Sequence, residues 1–596
     1  MSVIIAKLDG QEIELNNKED FEISFETSNI LDPNLIFQPV SELILPNLGN
    51  NTKDAFRIIA NSISVYGIDR PIPLQIIVNG SGASAGFVIQ DLFLNAMGNA
   101  NTLNGSFEII NSQMSFFLLA NDFDLRHLTP IQAVDMSDDD LRGLYDPDRA
   151  LPLVPIATLR ALYAASLLPV GLQINPALDY TDFYYLDKIF TPLDILMLVL
   201  QIFFVIDTIV KTIKFITDAG TTVSTGMIIS TAIYLLFLTL NLFLLISTWL
   251  KAIPKAKKAK SIKINKLLQK ACEAIGYTYV SDFWNTYPFS EFCVCWELTD
   301  SGSNPIPEMA FSEFIQELMS TYNVNAKQYG NTVRFERLDY FWTPVNYIIP
   351  LLQEKENSMP AWNVLPNSVA FSWLRDDDSK KKLNGEAFAV RYDSQYTGAN
   401  KIKSETKRIE SKFSRVYTKT ELNTEEKIYN TLVDVMMIAS LGIFVLILGS
   451  SASVFRINSN IVDCAQFDGN YIQVPKILLP EKDGRMKENH FKYVSAGYIY
   501  GKCHSFLGAD KVQFYIAERS ISRDVKGDIY SVMNQLLIQN CCYCELQDPF
   551  TGVIDTYKCL VTEMNFNPIT ETVNYTLAVF KNYTDPSNIK VSPIIA

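Results

Sequence analysis

The 596-residue chain carries 65 acidic and 51 basic residues, a net charge of −14 that argues against dedicated nucleic-acid binding, because neutralising phosphates takes clustered Lys and Arg. Charged residues make up 19% and hydrophobic residues 48%, so ordinary globular sequence must alternate with a few very apolar segments, over a length that suits about three or four domains. The nine cysteines are odd in number and unpatterned, and Met1 to Gly10 lacks a basic n-region and a useful h-region, which points to reduced, cytosolic synthesis and away from standard secretion.

The first 125 residues read as strand and turn. Apolar residues flank Asp9-Gly10, a hairpin dipeptide, and "FEISF" alternates Phe21, Ile23 and Phe25 on one face. Leu74 to Val78 runs into Asn79-Gly80 and Gly86 to Leu92 returns, so the glycine-rich Gly80 to Gly86 is a hairpin tip; it lacks the Lys-Ser/Thr of a phosphate loop. A helix fits Asp54 to Val65, and "NGSFEIINSQMSFFLLAND" reads as a further pair of strands, together a small β-barrel or sandwich. From 128 to 190 the chain is irregular; its acidic run "VDMSDDDLRGLYDPDRALPLVP" lacks the spacing and glycine of an EF-hand loop and reads as a surface insertion.

Three apolar segments follow. Ile195 to Ile206, between Asp194 and Asp207, is short for a span; Gly226 to Leu250 and Val435 to Phe455 each exceed eighteen uncharged residues. At about 1.5 Å per residue, Gly226 to Leu250 is long enough to cross a hydrocarbon core of roughly 30 Å. Leu236, Leu240, Asn241 and Leu250 in it, Lys251, Lys255, Lys257 and Lys258 after it, and Ile443 and Phe444 in the third segment are the candidate membrane-insertion residues. The lysine run that extends to Lys266 is either an anchor for anionic headgroups or a solvated helix start. Fully buried core helices of a large assembly are the alternative reading of the apolar segments themselves.

Beyond them, Ile264, Leu267, Leu268, Ala271, Cys272 and Ile275 recur at helical spacing before Gly276, and Phe311, Phe314, Ile315 and Leu318 line a second helix followed by a hairpin at Gly330-Asn331. Strands resume after about Gly385 and end in two strands around Asn567-Pro568. The fold class is therefore α+β: mainly β, with small β-barrel or sandwich domains, α/β connecting modules and two or three long hydrophobic helices. The divisions fall at 1–127 (β-barrel-like), 128–190 (irregular insertion), 191–255 (hydrophobic helical hairpin), 256–350 (α/β module), 351–430 (first part of a second β domain), 431–456 (hydrophobic helix) and 457–596 (C-terminal β domain).

No catalytic constellation emerges. The three histidines, His127, His490 and His504, stand apart from any nucleophile pattern, and Cys503-His504 with Cys541, Cys542 and Cys544 fit no common zinc spacing, although Cys542 and Cys544 share a strand face. We expect no enzyme activity, no cofactor and no metal.

In order, "FEISFETSNI", "PIPLQIIVNGSGASAGFVIQDL", "GSFEIINSQMSFFLLANDFDLRHL", "LLQKACEAIGYTYVS", "FSEFIQELMSTYNVNAKQYGNTVRFERLDYF" and "LQDPFTGVIDTYKCLVTEMNFNPITETVNYTLA" resemble the tail hub (baseplate hub or tail-tip) proteins of tailed bacteriophages, of the type that infects Bacteroidetes, over about two thirds of the chain. The resemblance implies a structural virion protein made in the host cytoplasm, with residues 1–127 as its N-terminal hub domain, assembled as a ring, usually a homotrimer, at the distal end of the tail. Its implied partners are the tail tube or distal tail protein, a tape-measure protein and spike or fibre proteins, with DNA passing the acidic wall without specific binding. Hubs of this kind lack the three apolar segments, which we expect to plug the channel or to enter the host membrane for genome delivery. A resident bacterial integral membrane protein of a secretion or transport system is the alternative.

Overall fold

A computed structural model describes residues 3–16, 22–28, 32–39, 43–46, 48, 51, 53–66, 72–79, 87–95, 104–128, 178, 180–187, 192–218, 224–252, 255–299, 302–351, 358–360, 368–374, 389–393, 406–419, 421–422, 424–439, 457, 461–466, 475–488, 490–507, 514–522, 529–547 and 552–580. The fold is mixed α+β, with strands gathered in several sheets around separate hydrophobic cores.

The N-terminal sheet begins with β1 (Val3–Leu8) and β2 (Gln11–Ile13), turned back at Asp9 and Gly10 with φ of 48° and 79°. A two-residue hairpin turn with the right-handed twist needs positive φ at both positions, which Asp tolerates and Gly adopts freely. Chain order continues with β3 (Ile23–Glu26), β4 (Ile36–Pro39), β5 (Leu43–Pro46), helix α1 (Ala55–Tyr66), β6 (Ile72–Asn79), β7 (Phe87–Asn95) and β8 (Asn104–Asn111). Six of these strands form one antiparallel sheet in the order β2-β1-β6-β7-β8-β5. Ile72, Leu74, Ile76 and Val78 point inward at period two, and α1 covers that core with Ala55, Ile58 and Ile59.

That core is completed by the opposite end of the chain. β3 pairs with the long strand Ile554–Asn567 (Phe25 opposite Met564, Ile23 opposite Phe566), which continues through Thr572–Phe580 and Phe514–Ser522. The two ends therefore fold as one body, with Phe25, Leu74, Met564, Phe566 and Tyr575 in a single cluster.

Ser112–Asp122, expected as a strand, is helix α2. Tertiary packing explains the difference: Phe116 and Ala120, one helical turn apart, enter the second core, where Phe116 lies 5.4 Å from Tyr277, 6.0 Å from Phe311 and 6.1 Å from Phe335.

Strand β9 (Tyr180–Asp187) leads into helix α3 (Pro192–Asp218) and helix α4 (Thr225–Ala252), and β10 (Lys255–Lys263) follows. The lysine run from Lys255 to Lys263 is thus a strand and not a solvated helix start. Lys258 is ion-paired to Asp182 at 2.6 Å, and Lys260 lies over the Tyr180 ring. β9 and β10 pair antiparallel from Ile262↔Tyr180 to Lys255↔Asp187 at the heart of a seven-stranded sheet.

Helix α5 (Ile264–Ala274) buries Ile264, Leu267, Leu268, Ala271 and Cys272 and stops at Gly276, φ 87°. Helix α6 (Phe311–Tyr322) ends at a left-handed Asn323, and its hairpin turns at Gly330 as expected. The segment between β3 and β4 is fastened to this region from two sides. Lys327 Nζ donates to the Pro33 carbonyl at 2.6 Å, Asn34 Nδ2 donates to Ala326 O at 3.1 Å, and Asn540 Nδ2 donates to Asp32 O at 3.2 Å. Burial pushes the Lys327 amine down to about 7.

Candidate functional site: an exposed apolar helical hairpin

Pro192 opens α3 at a position where its missing N–H costs nothing, and Asp194 complements the positive end of the helix dipole in the first turn. α4 has no charged side chain from Gly226 to Leu250. In Thr225–Thr248 the mean hydropathy reaches 2.2, yet only 11% of the most apolar window is buried. Ile229, Ile233, Leu236 (64%), Phe237, Leu240 (57%) and Phe243 (71%) fall within about 120° on one exposed face, opposite Leu238, Leu242 and Ile246, and before Leu238 the exposed Met227, Ile228 and Tyr234 extend the apolar surface to the other sides. Covering α4's exposed large side chains would be favourable by on the order of 15 kcal/mol.

The base of the hairpin is anchored. Val199 and Ile202 of α3 and Leu242 and Ile246 of α4 form a third core with Leu186 of β9, Ile457, Ile461, Cys464, and Tyr429 and Val433 of helix α7 (Thr424–Ala439). Farther from the base, α3 from Val210 and α4 before Leu238 are largely exposed. The polar groups of α4 need little water: Thr231, Thr239 and Thr248 each donate a hydroxyl to the carbonyl four residues back at 2.7, 2.7 and 2.9 Å, and Ser230 donates to Met227 O at 3.0 Å. Such back-bonding satisfies hydroxyls in an apolar solvent.

Of the candidate insertion residues, Leu236, Leu240 and Asn241 stand exposed on α4, while Lys257 and Lys258 are exposed on β10 near the base. Leu250 and Lys251 end α4 and Lys255 begins β10; the surroundings of these three side chains, and Ile443 and Phe444 altogether, lie outside the described residues. The sequence reading bounded the first segment at Ile206 because of Asp207, whereas α3 continues to Asp218. The missed signal was Asp207, Lys211, Lys214 and Asp218 at i, i+4, i+7 and i+11, one charged stripe on an otherwise apolar helix.

Elsewhere the chemistry is quiet. All nine cysteines are buried thiols without a disulfide; Cys542 and Cys544 share an inward face with Cys559, whose Sγ lies 3.5 Å from Cys542 Sγ. Burial pushes the Cys541 and Cys503 thiols up to about 12, which holds them protonated and poorly nucleophilic. No cluster of three metal-ligating side chains occurs among the described residues. His127 is exposed beside Phe123, while His504 is buried, stacked on Phe371 and 2.9 Å from the Thr321 carbonyl.

His490 is fully buried near Arg415, with no hydrogen-bond partner at either ring nitrogen among the described residues. Burial first, and the Arg415 charge second, push its imidazole down to about 3. The folded state thus binds a proton less readily than the unfolded chain, whose imidazole titrates near the ordinary 6.5. Stability present above about 6.5 is therefore lost as pH falls toward 3. His490→Leu is expected to remove this sensitivity: at pH 4 the wild type should have lost about 3 kcal/mol that the variant keeps. Denaturant melts at pH 7 and pH 4 test it, and equal losses in both proteins would refute it.

No family model matches the chain, and no curated protein matches it. Among solved structures, it is similar to the prophage tail protein gp18 from Listeria monocytogenes EGD-e, at 7% identity and a TM-score of 0.24, over 55% of this chain and 67% of that one. It is also similar to the tail protein from Neisseria meningitidis MC58, at 7% identity and a TM-score of 0.28, over 97% of this chain and 96% of that one.

Proposed function

We propose that the chain is a structural protein of a bacteriophage tail, a hub at the distal end of the tube, whose α3–α4 hairpin enters the host bilayer during genome delivery. The carrying observation is α4 itself: uncharged for a bilayer's width, apolar on every side and hardly buried. A surface of this kind aggregates in water unless it is sheltered, so in the particle it is held against other subunits until the tail opens. The hub assignment is supported by the ordered sequence resemblance and by a multi-sheet body with both chain ends in one core.

The sheet also supports a body that stays on one side of any bilayer the hairpin enters. Because β9 and β10 are hydrogen-bonded neighbours, α4 cannot cross alone without tearing them apart; α3 must cross with it and return the chain to the same side. The third apolar segment leaves from Tyr417–Lys419 and returns at Cys464–Gln466, again paired strands of that sheet. The β-rich body then stays on one side, as a particle component requires.

The hub reading predicts a homotrimeric ring, the closed symmetry that its sequence resemblance implies. Mass measurement of the purified tail-tip fragment should give three copies, and antibody against residues 1–120 should label the distal tail in electron micrographs. A monomer or dimer, or label spread along the tube, would refute it.

A further inference from the structure

If the hairpin enters a bilayer, as proposed above, α3 must take its charges with it. Asp207, Lys211, Lys214 and Asp218 lie within about 60° of one another around the helix axis. They face away from the third core, which is lined from α3 by Val199 and Ile202 with Val205, Ile206 and Ile209 packed beside them. Lys211 Nζ sits 2.6 Å from the Asp207 carboxylate with 74% of its side chain exposed, and Lys214 and Asp218 are exposed beyond it. Asp207 lies eleven residues from Asp218, about 16 Å along the axis, which is roughly half a hydrocarbon core and too deep for snorkelling to the far headgroups.

Charges at that depth do not face lipid. They face a water-filled cavity or other charges, and in the ring of parallel copies proposed above each charge of the stripe recurs at one depth around a common axis, where water keeps it hydrated. α4 has no such stripe and is suited to lipid all round. We propose that the α3 stripes of several copies of this chain together line a water-filled path through the bilayer, with the α4 helices between that path and the lipid. The exposed apolar residues that flank the stripe, Val210 on one side and Phe215 on the other, then seal one hairpin against the next.

The test uses the full chain in detergent, reconstituted into phosphatidylethanolamine–phosphatidylglycerol vesicles under a KCl gradient. Wild-type protein should float with the vesicles and conduct ions. Lys211→Glu with Lys214→Glu, at exposed positions outside all the cores, should float equally and shift permeability several-fold toward cations, because rings of charge set selectivity. Lys211→Gln with Lys214→Gln should shift it the same way but less, and serves where the double Glu variant fails to fold. Vesicles that carry wild-type protein and stay sealed would overturn the path while leaving bilayer entry intact, as would conduction with unchanged selectivity in both variants. Wild-type protein that does not float with vesicles would overturn bilayer entry itself, and this inference with it.

Discussion

Excising residues 188–254 and joining Asp187 to Lys255 through Asn-Gly is expected to give a folded chain that assembles into particles and delivers no genome. Asp187 and Lys255 are directly opposed partners in an antiparallel pair, so a two-residue type I′ turn closes the gap without disturbing the register that runs back to Tyr180 and Ile262. The first two cores contain no residue of α3 or α4. The third loses Val199, Ile202, Leu242 and Ile246, leaving Tyr429, Val433, Ile457 and Ile461 underpacked, a local cost of a few kcal/mol near α7. Thermal melting should therefore show a main transition close to wild type, and particle counts should be normal while DNA entry into cells falls to background. Normal DNA entry would remove the hairpin from delivery. Loss of the main folding transition would show that the hairpin is part of the central body and not an outgrowth of the β9–β10 hairpin.

Much of the architecture was legible where a single residue type solves a local problem. Asp9-Gly10, Gly276 and Gly330 all occupy the positive-φ positions expected of them, and the spacing of Ile264, Leu267, Leu268 and Ala271 gave the buried face of α5 directly. Two kinds of feature were not legible. One is pairing over great sequence distance: nothing local to Ile23 and Phe25 announces that they pair with Phe566 and Met564, because a strand's pattern states which face is buried and not its partner. The other is tertiary override. Ser112–Asp122 has β-compatible composition but supplies Phe116 to an aromatic core, and the lysine-rich run Lys255–Lys263 has low strand propensity yet is held by pairing with β9 across its length. At the candidate site, α4 was evident from its uncharged length, whereas α3 was cut short at Asp207, where a period-3.6 reading of the charges would have carried the helix on to Asp218.

Leu236→Arg combined with Leu240→Arg is expected to leave folding intact and, in the particles that assemble, to leave adsorption normal and block genome delivery. Leu236 and Leu240 are 64% and 57% exposed and belong to none of the hydrophobic cores, so two arginines there open no cavity and bury no charge in the folded chain. They lie near the middle of the uncharged stretch Gly226 to Leu250, where the bilayer centre would fall. On insertion scales each arginine opposes transfer by about 2.5–3.5 kcal/mol, so the pair lowers bilayer entry on the order of a thousandfold or more. Four residues apart, they also place like charges on one helix face, adding a small repulsion. Two readouts separate a delivery defect from a structural one: potassium efflux and DNA entry should both fail in particles that are normal in appearance and adsorption. Normal efflux and entry would reject the bilayer role of α4. Particles that fail to assemble would show that another subunit covers Leu236 and Leu240 tightly in the virion; Leu236→Ala with Leu240→Ala, which keeps the helix uncharged, should then restore assembly and delivery together.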